Sequence, residues 1–102
     1  MSQKNGSDDD VVILPNNDIW NKVVKISIED DKPIMMDYWL DSLEKQVIIG
    51  VRENGEKLLV KSQEEFTSPI QKIFRISEVY IICTENSIYI TRSDISNKRI
   101  TG

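Results

Sequence analysis

The chain reads as an all-β domain, a small antiparallel meander of about six strands that closes into a barrel. Three observations predict this. Ala is absent while Ile is plentiful, so the best helix former is missing and the composition leans to strands. Short apolar runs recur between turn residues from position 19 to position 96. Two of those runs meet at Asn54-Gly55, whose tolerance of positive φ makes it a strong local hairpin signal. An α+β arrangement with one helix at residues 34–44 is the alternative.

Residues 1–18 form an expected flexible arm, because the first ten carry no large apolar group beyond Met1 and hold three consecutive aspartates. The body is expected at 19–96. Alternation of Val24, Ile26 and Ile28 predicts a half-buried strand with Lys25 and Ser27 on the wet face. Asp30-Asp31-Lys32-Pro33 follows as a turn. Residues 34–43 fit two periods. Ile34, Met36, Tyr38 and Leu40 share one face of a strand; Met35, Trp39 and Leu43 share one face of a helix that Asp31 would cap and Pro33 would open. The neighbouring strands favour the first reading.

The Asn-Gly hairpin can close in two registers. A two-residue loop pairs Val51 with Leu58 and Ile49 with Val60, gathering five aliphatics on one face. It also sets Glu53 against Glu56 and Arg52 against Lys57. A three-residue loop with Gly55 as a bulge pairs Arg52 with Glu56 instead. Each buried aliphatic contributes roughly 1.5–3 kcal/mol, more than exposed charge pairs at a tip, so the two-residue loop is expected. Gly50 sits mid-strand and predicts a bulge or a close approach. A polar connection follows, with Phe66 tucked beneath it. Pro69 opens a strand that runs to Ile76. Residues 79–83 and 88–91 form a second hairpin, with both faces of its first arm apolar and with Tyr80, Ile82 and Tyr89 on one face if Cys83 opposes Ile88. Residues 97–102 read as a basic tail. Consecutive hairpins avoid free edges best by curling, which makes an SH3-like or similar small barrel the expected architecture.

Charge and composition exclude more than they select. The net charge is −4, and Asp8, Asp9, Asp10 and Asp18 against Lys4 place most of it before residue 19. The body is nearly neutral, without the basic field of a nucleic-acid binder. His is absent and Cys83 stands alone, which removes the usual general base, the nucleophile–His pairs and any cysteine zinc site. Asp37 and Asp41 would share a face only on a helix. No enzyme, no cofactor and no metal site are expected. No secretory leader and no apolar run near the about 20 residues of a membrane span are visible, so an intracellular, soluble, cytoplasmic protein is expected. The residue bias reads as AT-rich coding of the kind found in small viral or mobile-element genomes.

What remains is binding. Ser7-Asp8-Asp9-Asp10-Val11-Val12-Ile13-Leu14 resembles a SUMO-interacting motif, a short aliphatic core flanked by acids or serine. The resemblance implies a segment that adds a strand to a partner's sheet edge while the aspartates meet basic residues. The other reading of residues 11–14 is a first strand of the body or a clamp on a neighbouring subunit. A second expected contact surface is the outer face of the last hairpin, where Tyr80, Ile82 and Tyr89 lie together. The chain is therefore expected to be a non-enzymatic module that binds another protein or itself through Asp8, Asp9, Asp10, Val11, Val12, Ile13, Leu14, Tyr80, Ile82 and Tyr89. A SUMO-binding adaptor and a small barrel for single-stranded nucleic acid, with aromatic–basic neighbours such as Trp20 with Lys22 and Phe74 with Arg75, are the alternatives.

Overall fold

Helix α1 spans Asn17–Asp30 in the computed structural model, which describes residues 13–101, and it replaces the strand expected at residues 24–28. The alternation of Val24, Ile26 and Ile28 misleads because Ile26 serves both periods. Ile19, Val23 and Ile26 are the buried residues, spaced four and three apart, while Val24 and Ile28 are exposed. Asn16 fixes the start: its side-chain oxygen accepts from the Ile19 amide at 3.1 Å. Asp31 ends the helix in the left-handed region at φ 54°, donating its amide to the Ser27 carbonyl.

The ambiguous segment divides between its two periods. Ile34–Met35 is a short strand, β1, and Trp39–Leu43 is a short helix, α2. Asp31 therefore caps α1 at its C-terminal end and does not open a helix over residues 34–44. The remaining strands are β2 (Ile48–Val51), β3 (Lys57–Val60), β4 (Ile70–Ile76), β5 (Val79–Thr84), β6 (Ile88–Arg92) and β7 (Ser96–Arg99). The last of these runs through what composition marks as a basic tail.

Among the described residues the fold is mostly β, with seven strands in two sheets, and it is not a closed barrel. One sheet has the order β1-β6-β5-β4 and the other β3-β2-β7. Two pairings are parallel, β1 with β6 and β2 with β7, so the chain is not a simple meander. It enters the four-stranded sheet, crosses to the three-stranded one for β2 and β3, returns for β4 to β6, and crosses again for β7.

Two cores sit on opposite faces of the four-stranded sheet. On one face Ile19, Val23 and Ile26 of α1 pack with Trp39, Ile81, Cys83, Ile88 and Ile90. On the other, Ile82 meets Ile49 and Leu59 of the second sheet, with Tyr38, Val47 and Ile95 completing the cluster. The layers run helix, four-stranded sheet, three-stranded sheet. This explains why β5 is apolar on both faces: it is a central strand with a layer on each side.

Candidate functional site

The expected contact residues fare unevenly. Asp8, Asp9, Asp10, Val11 and Val12 lie outside the described residues. Ile13 and Leu14 are exposed, at 61% and 64%, and belong to no strand. The Ile13 carbonyl accepts from the Trp39 indole at 2.7 Å, so this backbone acceptor is already engaged by the body. The outer face expected at Tyr80, Ile82 and Tyr89 is corrected: the second sheet covers it. Ile82 is fully buried, and Tyr80 and Tyr89 are half-buried against the inter-sheet core, with Tyr89 edge-on to Tyr38 at 5.2 Å between ring centroids. The hairpin itself forms as expected, with Cys83 opposite Ile88. Burial pushes the Cys83 thiol up from its ordinary value, as it does the Tyr89 hydroxyl.

The open face belongs to the other sheet. In the Asn-Gly hairpin Val51 pairs with Lys57, Gly50 with Leu58, Ile49 with Leu59 and Ile48 with Val60, which overturns the two-residue loop. The loop has three residues. The Gly55 amide donates to the Arg52 carbonyl at 2.9 Å, and Gly55 takes φ 91°. Asn54 is not in the left-handed region; its side chain accepts from the Glu56 amide at 3.0 Å. Arg52 meets Glu56 across the tip at 3.1 Å, the pairing that charge favoured.

A one-residue change of register moves every side chain of the strand to the opposite face. Leu59, not Leu58 or Val60, faces the inter-sheet core. Leu58 and Val60 join Ile48 on the outer face, around Gly50. Ile100, just after β7, lies over this glycine: a Cβ there would meet Ile100 Cδ1 at 2.8 Å and Val60 Cγ2 at 3.0 Å. The close approach expected at Gly50 is thus made by side chains.

The outer face carries a cleft of about 700 Å³. Its floor is apolar, from Ile48, Leu58, Val60 and Ile100. Phe66 stands at its wall, 50% exposed, and is not tucked under the loop as expected. Residue 66 bridges to Val60, which holds the connecting segment upright beside β3. Arg52, Lys61 and Arg99 supply three cations, and among the described residues no acidic side chain lines the cleft. Gln46, Ser62, Gln63 and Thr101 add uncharged polar groups.

The cations differ. Lys61 is half-buried, 3.1 Å from Asp41, 3.9 Å from Glu65 and 4.6 Å above the Tyr38 ring. Burial pulls its ammonium pKa down, but the hydrogen bond and charge of Asp41, with Glu65, outweigh that and raise it. Burial, with the negative charges around it, pushes the Tyr38 hydroxyl up to about 12. Arg52 is half spoken for by Glu56, but its Nε is enclosed and has no hydrogen-bond partner among the described residues. An enclosed donor without an acceptor costs on the order of 1–3 kcal/mol. Arg99 is exposed and makes no ion pair among the described residues.

The chemistry offered is recognition. Among the described residues no group of three or more His, Cys, Asp or Glu could hold a metal ion, and no helix is long and apolar enough to cross a membrane. Sequence reasoning missed the cleft because the wrong register sent Leu58 and Val60 to the interior. The Arg52–Glu56 charge pairing was the signal that could have found it. Comparison with protein-family models, curated proteins and solved structures finds no match.

Proposed function

We propose that this chain is a non-enzymatic protein-binding module whose cleft, on the outer face of the three-stranded sheet, takes an extended acidic–aliphatic peptide segment. The supporting observation is the lining: an apolar floor and one exposed aromatic beside three cations, of which Arg99 has no carboxylate partner among the described residues. Ile48, Val60 and Ile100 offer apolar surface to alternate side chains of such a segment, and Arg52 and Arg99 meet its carboxylates. Phe66 is the anchor candidate, since a half-exposed aromatic beside an apolar floor gains most from being covered.

Single-stranded nucleic acid is also anionic and stacks on aromatics, but two of the three cations already face carboxylates, and phosphate binding draws on an excess of cations. The test is calorimetric titration of the full chain with an acidic–aliphatic peptide, a basic peptide of equal length and a single-stranded oligonucleotide. The acidic peptide binds, weakens with salt, and loses affinity in Phe66→Ala and Arg99→Glu. Binding of the oligonucleotide alone replaces this reading with the nucleic-acid one.

A further inference from the structure

We propose that Asn54, at the tip of the β2–β3 hairpin, is a self-modifying site: its side-chain amide is lost as ammonia to attack by the next backbone nitrogen, and opening of the tip sets the rate. The site stands independently of what the cleft binds. Such a reaction favours glycine after the asparagine, because that residue's nitrogen is the nucleophile and a Cβ beside it obstructs the approach. Asn54 and Gly55 are both exposed, and among the described residues nothing lies within 4 Å of the place a Cβ on Gly55 would take. The step balances. The Gly55 nitrogen gives up its proton and bonds to Asn54 Cγ, while the Cγ–Nδ2 bond breaks and Nδ2 leaves as ammonia. Water then opens the cyclic imide. Opening at Cγ gives aspartate; opening at the backbone carbonyl gives isoaspartate. The sum is amide plus water to carboxylate plus ammonium.

Two hydrogen bonds at the tip act in opposite directions. Asn54 Oδ1 accepts from the Glu56 amide at 3.0 Å. Attack at Cγ places negative charge on this oxygen, and a donor already aimed at it stabilises that charge. The Gly55 amide, however, donates to the Arg52 carbonyl at 2.9 Å, so the proton that must leave the nucleophile is held. The electrophile is prepared and the nucleophile is masked. The reaction therefore waits on local opening of one turn. That turn is kept shut by the Arg52 amide on the Glu56 carbonyl at 2.8 Å and by the Arg52–Glu56 ion pair at 3.1 Å.

The product changes the rim of the cleft. One more carboxylate takes the net charge from −4 to −5, next to Glu53 and two residues from Arg52, which lines the cleft. Isoaspartate also lengthens the three-residue loop by one backbone atom, which moves the Gly55 amide out of line with the Arg52 carbonyl.

The test is mass spectrometry of the full chain held at mildly alkaline pH, folded and in urea, with digestion after Lys and Arg. The fragment 53–57 reports Asn54 separately from the other Asn-Gly of the sequence, Asn5-Gly6, which lies outside the described residues. Fragment 53–57 of the folded chain gains the mass difference between an acid and an amide and splits into aspartate and isoaspartate forms. It does so about tenfold or more slowly than in urea, the ratio being the tip-opening equilibrium. Glu56→Gln, at an exposed position, removes the ion pair and speeds conversion of the folded chain while leaving the rate in urea unchanged. Asn54→Gln, whose longer side chain disfavours ring closure, stays intact in both. A folded chain whose fragment 53–57 never converts while the unfolded one does overturns the site. Equal rates folded and in urea, or a Glu56→Gln chain no faster than wild type, overturn the masking by the tip.

Discussion

The two sheets share one core and differ in what lies behind them. The four-stranded sheet has α1 on one face and the second sheet on the other, so β5 is buried almost throughout. Among the described residues the three-stranded sheet is covered on one face only, and its free face holds a cleft with an apolar floor and three cations. Apolar content alone does not distinguish them: Val79-Tyr80-Ile81-Ile82 and Ile48-Ile49 look alike in sequence. What separates a structural face from an available one is the number of layers, a long-range property.

The largest expected contrast is in stability. Ile82→Ala, in the inter-sheet core, lowers unfolding free energy by about 2–5 kcal/mol in urea denaturation. Val60→Ala, on the free face, costs about 1 kcal/mol or less. Equal losses would mean that the second sheet does not cover the first.

Next is the alkaline response of Tyr38, which sits in that same inter-sheet core. Its folded pKa is raised to about 12 from an ordinary value of 10.0. The folded state therefore holds the phenolic proton longer than the unfolded chain does. The resulting stability is fully present below pH 10 and is lost as pH rises from 10 through 12, a change of roughly 2–3 kcal/mol. Tyr38→Phe removes this part of the pH dependence; ultraviolet absorbance of tyrosinate against denaturant midpoint measures it. A wild-type midpoint that stays flat from pH 10 to 12 would mean that Tyr38 is not enclosed between the sheets.

Smaller effects come from the free face. Gly50→Ala sets a methyl against Ile100 and Val60, costing about 1–2 kcal/mol, and Ile100→Ala in the same chain recovers most of it. If the second substitution adds its own loss, Ile100 does not lie over Gly50. Last, Arg99→Glu changes stability by no more than about 0.5 kcal/mol, being exposed, yet weakens peptide binding about tenfold. A variant that loses both together assigns Arg99 to the fold.

How much of this could be read beforehand follows from the range of the forces involved. β4, β5 and β6 were legible, including the pairing of Cys83 with Ile88, because their short turns make the register local. α1 was not read, although Asn16 as a cap and the spacing of Ile19, Val23 and Ile26 were there to be seen; the alternation through Val24 and Ile28 hid them. The Asn-Gly hairpin was found but closed in the wrong register. Burial of Leu58 was credited to the core, when Leu58 is buried on the outer face beside Ile100, which arrives about forty residues later. That parallel return of β7 onto β2 left no local mark, since Ser96-Asn97-Lys98-Arg99 is polar and exposed. The cleft was invisible for the same reason: its floor depends on a register and its rim on a strand that only tertiary contacts specify.

The claim that the free sheet face is a binding site is tested most directly by amide chemical-shift mapping of the full chain against an acidic–aliphatic peptide. Perturbations are expected to cluster at Ile48, Val60, Phe66, Arg99 and Ile100 and to fade as salt is raised. Perturbations absent there, or gathered instead along Gln71 and Ile73 at the β4 edge, would contradict it.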